Sequence, residues 1–188
     1  MNSRVRGAVV FCSLSLSICC VFSGTQRVNP HAKLIAGFQN RVASYVKLRS
    51  QAEAELQPLK PTESAQMIAQ HEHVLAQRIR ALRPNARQGE IFTPAIRAEF
   101  RRLMKMASRE PDASRIRRSL ADAEPVAVPI HVNDAYPASV PLQSTPATLL
   151  RNLPVLPPQL EYRVVGHDLV LLDVGANLIV DFAPRMVQ

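Results

Sequence analysis

Proline divides this chain into parts that must fold differently. Nine of its fifteen prolines fall between positions 111 and 158. Proline removes a backbone donor and fixes φ, so a stretch this dense in it holds neither a long helix nor the middle of a sheet. Regular structure is therefore expected before residue 111 and after residue 158, with an extended, turning connector between.

Before the connector the apolar residues follow a helical period. Asn29-Pro30 offers an N-cap and a proline at the first helical position. Leu34, Phe38, Val42, Tyr45, Ala52 and Leu56 then recur at spacings of three, four or seven, one face of a long helix ending near Leu56. Pro58 and Pro61 stop it. Thr62 is placed to cap a second helix to about Leu82, with Ile68, Leu75, Ile79 and Leu82 as its stripe. The two form an antiparallel helical hairpin. Thr93-Pro94 restarts helix, lined by Ile96, Phe100, Leu103, Met104 and Ala107, to about Ser108. Asp112 is placed to cap a further short helix carrying Ile116 and Leu120, and Thr145-Pro146 another over 147–153.

The last thirty residues change to period two. Leu160–Val165, Leu169–Asp173 and Leu178–Phe182 read as three short strands, with turns at Gly166-His167 and Gly175-Ala176-Asn177. Three strands alone are marginal in water, so the meander must pack on the helices. The fold class is α+β: helical hairpin, third helix, Pro-rich connector, and a C-terminal three-stranded antiparallel meander. The boundaries are 1–23, 24–124, 125–158 and 159–188.

Residues 1–23 have the pattern of an export signal. Arg4 and Arg6 precede an apolar run from Ala8 to Phe22, and Val21-Phe22-Ser23 offers an aliphatic residue and a small one at −3 and −1. The run is short of the ~20 residues that span a bilayer, and no later run would span one. The expected location is periplasmic or secreted. Leu16-Ser17-Ile18-Cys19 is close to a lipoprotein box, which would make Cys19 a lipid anchor. Cys12, Cys19 and Cys20 all lie in this segment. Cleavage after Ser23 leaves a mature chain with no disulfide, no cysteine nucleophile and no cysteine-based metal site.

Charge and aromatic content narrow the partners. The chain carries +8. Losing Arg4 and Arg6 from its 23 basic side chains leaves 21 against 15 acidic, a net of +6. That favours an anionic cell-envelope surface or an acidic envelope protein. With no Trp and 5% aromatic residues, base-stacking platforms are poorly supplied, and no nucleic-acid partner is expected. Arg97, Arg101 and Lys105 step by four along the third helix, with Arg102 and Arg109 nearby, either as a solvated face or as a contact for an anionic surface.

No catalytic constellation is visible. His71-Glu72-His73 puts two imidazoles two apart on a helix, where they diverge, and reads as a solvated face. There is no Gly-rich phosphate loop and no Gly-x-Ser-x-Gly elbow. No enzyme activity, cofactor or metal is assigned. His131, His167, Asp168 and Asp173 are the ligand-binding candidates, should the fold bring them together. Turn polarity is the simpler account of His167-Asp168. The loop Arg87-Gln88-Gly89-Glu90-Ile91-Phe92 is the second candidate, with Arg87, Gln88, Glu90 and Phe92 singled out; it also serves as a plain joint between helices.

With RQGEIFTPAIRAEFRRLM (87–104), HVNDAYP (131–137) and LPVLPPQLEYRVVGHDLVLLDVGANLIVDF (153–182) on the page, the chain resembles a group of uncharacterised exported bacterial proteins. The likeness covers about 34–183 and implies architecture and export. The tail from Leu156 to Phe182 also resembles the C-terminal hairpin of periplasmic nickel/cobalt-homeostasis proteins, which implies metal handling. The mature chain has no His-rich segment. Two functional expectations follow: an exported non-catalytic interaction or structural protein, or a periplasmic metal or small-ligand binder.

Overall fold

Asn29 starts the first helix as its sequence implies: the side chain accepts a hydrogen bond from the His31 N–H, and Pro30 occupies the first helical position. The computed structural model describes residues 29–107, 128–137 and 150–187. Within them α1 runs Pro30–Ala54, α2 Ala65–Leu82 and α3 Pro94–Ala107. The strands are β1 (Leu160–Val165), β2 (Asp168–Asp173) and β3 (Leu178–Ala183), an antiparallel meander in the order β1-β2-β3. The fold is α+β. The cap of α2 is Ser64 rather than Thr62. Ser64 Oγ accepts from Met67 N–H, while Thr62 Oγ1 accepts from Ser64 N–H and shapes the approach to the cap. The helix expected after Asp112 lies outside the described residues, as do 147–149 of the one expected over 147–153; of the rest, Leu150 is helical and the chain turns over 151–153.

Helices cover one face of the sheet. Phe38 of α1 is fully buried and packs against Phe92, Phe100 and Tyr162, with ring centroids 5.8, 4.9 and 6.4 Å away. One aromatic cluster thus joins α1, the α2–α3 loop, α3 and β1. Such rings remove large apolar areas from water and add edge-to-face attraction. Leu160, Tyr162 and Val164 of β1, Leu169 and Leu171 of β2, and Leu178, Val180 and Ala183 of β3 complete this core.

The other face is covered by part of the Pro-rich connector. Val165, Val170, Leu172, Ile179 and Phe182 meet Val128, Ile130 and Tyr136 there. The connector is held by backbone pairing to β3. Asn133 N–H donates to Ile179 O, Ile179 N–H to Asp134 O, and Ala135 bridges Leu178. Burial on both faces explains why every residue of β2 from Leu169 to Asp173 is buried.

Pairing between β2 and β3 slips by one residue. Leu172 faces Ile179, yet Leu171 faces Asp181, so Val180 is the extra residue of a β-bulge. Strict alternation would turn Asp181 toward the connector face beside Ile179. The bulge turns it to the helical side instead.

Candidate functional site

Three buried acids organise the interior, and each ties a helix or loop to something distant in sequence. Asp181 is fully buried. Its carboxylate accepts from the N–H groups of Gly89, Ile91 and Phe92, each at 2.8 Å. The loop can point three amides at one carboxylate because Gly89 takes φ +88°, a left-handed conformation that a side chain disfavours. Glu90 folds back on the same loop: Oε1 accepts from Arg87 N–H, and Oε2 pairs with Arg83 at 3.1 Å. Its carbonyl accepts from Arg41 at 2.8 Å.

Asp173, at the end of β2, is also fully buried. Its Oδ2 accepts from Tyr45 Oη at 2.8 Å and Arg49 Nε at 2.9 Å, and its Oδ1 accepts from Ala176 N–H. Burial holds the Asp173 carboxyl above the usual carboxylate range, against the lowering pull of Arg49. Burial, and then the neighbouring Asp173 charge, push the Tyr45 phenol far upward. The Arg83 guanidinium lies 5.4 Å from the centre of the Tyr45 ring, a cation–π contact. Arg83 also donates to Val180 O, so one side chain joins the end of α2 to α1 and β3.

Glu99 is the third. Among the exposed cations of α3 it is buried, accepting from Arg102 at 2.6 and 3.0 Å and sharing a 2.7 Å contact with His31 Nδ1. Hydrogen bonding from Arg102, and then from His31, lowers its carboxyl to about 2 despite burial. The effect pins the start of α1 to α3.

The structure separates the four ligand candidates. His131 Nδ1 pairs with Asp134 at 3.0 Å on an exposed turn. His167 sits in the β1–β2 turn, where Nδ1 donates to Val187 O and its carbonyl accepts from Met186 and Val187 N–H. Asp168 accepts from Arg185 N–H beside it. Thus His167 and Asp168 come together, as fasteners of the C-terminal residues. Asp173 stands at the opposite end of β2 from them, about 17 Å along the strand. Among the described residues, no group of three or more His, Cys, Asp or Glu side chains is placed to hold a metal ion. His73 accepts from Gln77 Nε2 on α2 and shares no site with His71.

Of the loop candidates, Phe92 belongs to the aromatic core, and Gln88 reaches Phe182 O at 3.5 Å. The geometry is that of a joint between α2, α3 and β3. Sequence reasoning missed Arg49, Glu99 and Asp181. A signal existed for the first two: position 49 falls in the seven-residue gap of the α1 stripe between Tyr45 and Ala52, and Glu99 lies between Ile96 and Leu103. Asp181 had none, because its facing depends on the bulge.

Two surface features remain. Every residue from Glu63 to Gln70 is exposed, including Met67 (50%) and Ile68 (38%), with Leu59 (37%) in the preceding linker. Tyr45 meets Arg83 and Glu55 pairs with Arg78, so α2 runs antiparallel to α1. Burial along α2 begins only after Gln70 and is complete at Leu75, so the stretch from Ala65 to Gln70, about 9 Å of helix, lies outside the core. On α3, Arg101, Arg102 and Lys105 are exposed with Met106.

Comparison with protein-family models, with curated proteins and with solved structures gave no match. No helix among the described residues is long and apolar enough to cross a membrane.

Proposed function

We propose that this chain is an exported, non-catalytic interaction protein whose helical layer presents the start of α2 to a protein partner. The observation that carries the proposal is the exposed run Glu63–Gln70, with Met67 and Ile68 in water at the start of α2. Isolated apolar residues on a surface are ordinary. Here two adjoin on the first turn of one helix, and helix-in-groove recognition uses such apolar anchors on a helix. The interior supports the same reading. Arg49, Glu99, Asp173 and Asp181 are each engaged in ties between elements, and the strongest pKa displacements of carboxyl and phenol groups belong to those ties or to core tyrosines. Perturbed groups of this kind are structural as readily as functional.

The ligand-binding reading gains little from the geometry, since His167 and Asp173 lie at opposite ends of β2. Export rests on the N-terminal pattern of residues 1–23.

The test is capture of partners from an extract of the producing cells by the protein and by its Ile68→Glu and Met67→Glu variants. The proposal expects a discrete protein recovered by the parent and lost with both variants, while circular dichroism stays unchanged. Equal recovery by all three proteins, or no recovery with a monomer by light scattering, would count against it.

A further inference from the structure

We propose that the exposed face of α3 is a contact surface for anionic phospholipid headgroups. The inference stands apart from the reading of α2 and rests on a different set of charges. Arg97, Arg101 and Lys105 follow one another at intervals of four along α3, so they form one row. Arg101 and Lys105 are exposed and Arg97 half-buried. None of the three side chains has a hydrogen bond or ion pair among the described residues, and the buried Nε of Arg97 has no partner there. Several other arginines are ion-paired: Arg49 with Asp173 and Glu53, Arg78 with Glu55, Arg83 with Glu90, Arg102 with Glu99, Arg163 with Glu161.

Like charges four apart on a helix repel and destabilise it. The one acid of α3, Glu99, is buried and already shared by Arg102 and His31, so it does not neutralise the row. A row of cations with no acidic partner among the described residues, kept at a cost to helix stability, is complementary to a surface of phosphates. The face is a convex helix, and Met106 stands 49% exposed on its flank, in contact with Arg102. An apolar residue beside cations suits the headgroup boundary of a lipid surface. Nucleic acid is the less fitting polyanion. Phe38, Phe92, Phe100, Tyr45, Tyr136 and Tyr162 are all buried, and single-strand binding needs aromatic faces in the open.

Each cation near an anionic membrane surface strengthens binding by roughly fivefold. The protein, in the form the cells accumulate, is sedimented with vesicles of phosphatidylcholine alone and of phosphatidylcholine mixed with phosphatidylglycerol in equal parts. Binding is expressed as the ratio of the two partition coefficients. The proposal expects a ratio well above one that falls as salt is raised. Arg101→Gln/Lys105→Gln should lower it by roughly twenty-fivefold. Lys47→Gln/Lys60→Gln removes the same charge elsewhere and should leave the ratio nearly unchanged. Both variants should retain the parent's circular dichroism, since their side chains are exposed. A ratio near one, equal losses in the two variants, or tighter binding to a DNA oligonucleotide than to the anionic vesicles would overturn the proposal.

Discussion

Asp181 of β3 holds Gly89 of the α2–α3 loop by a 2.8 Å hydrogen bond, and the same carboxylate holds Ile91 and Phe92. The acid fixes the path by which the chain enters α3 and delivers Phe92 to the aromatic core. Replacing it by alanine would strand three amides, two of them on the buried Ile91 and Phe92. Each unsatisfied buried group costs about 1–3 kcal/mol. Asp181→Ala is therefore expected to lose at least about 2 kcal/mol of unfolding free energy in urea. Asp181→Asn keeps one carbonyl acceptor and should lose less.

Arg49 and Asp173 behave as a buried ion pair. Arg49→Met leaves the carboxylate buried without its cation and should cost about 3–5 kcal/mol. Arg49→Met/Asp173→Leu removes both charges and should be more stable than Arg49→Met alone. A double-mutant cycle from denaturant melts measures the coupling.

Two of the turn glycines, Gly89 and Gly175, are needed for different reasons. At Gly89 a Cβ would meet only Phe92 O at 3.7 Å, so Gly89→Ala carries the cost of φ +88° alone, about 1–2 kcal/mol. At Gly175 a Cβ would lie 2.8 Å from Nη2 of Arg49, whose guanidinium is fixed by Asp173 and Glu53. Overpacking against a held group costs about 1–3 kcal/mol. Gly175→Ala should be markedly less costly when made on the Arg49→Met background than on the parent, and Gly89→Ala should cost the same on both.

Glu99 sets an acid limb on stability. Its carboxyl is lowered from the ordinary 4.5 to about 2, so the folded state binds this proton more weakly than the unfolded chain. The contribution is fully present above 4.5 and fades as pH falls toward about 2. The stability difference between the parent and Glu99→Gln should therefore shrink across that window. Denaturant melts at a series of pH values check it; a difference that grows on acidification would contradict the assignment.

The helices and strands were legible because their signals are local. Asn29-Pro30 and Thr93-Pro94 mark two helix starts, and period-two alternation marks the meander. Thr62 and Ser64 are equivalent caps in sequence, and only the structure shows that Ser64 stands at the helix entrance. The interior ties were not legible. Arg49 and Glu99 lie on apolar stripes and look like exceptions until their partners, remote in the chain, are known. Asp181 was hidden by an extra residue at Val180, which no periodicity reveals. Asp173 stands out in the sequence only as a ligand-binding candidate; its neighbours Tyr45 and Arg49 come from α1, a long-range pairing that spacing does not encode. The exposure of Ile68 and Leu82 was likewise unreadable, since both continue the stripe of Leu75 and Ile79, yet only the middle of that stripe is buried.

The most direct test of the account is site-specific photo-crosslinking inside the producing cells. A photoreactive amino acid is placed at Ile68 or, as an exposed control on another element, at Arg185. The account predicts one discrete crosslinked protein species from position 68 and none of the same size from position 185. Identical crosslinking patterns from the two positions, or no protein adduct from position 68, would contradict it.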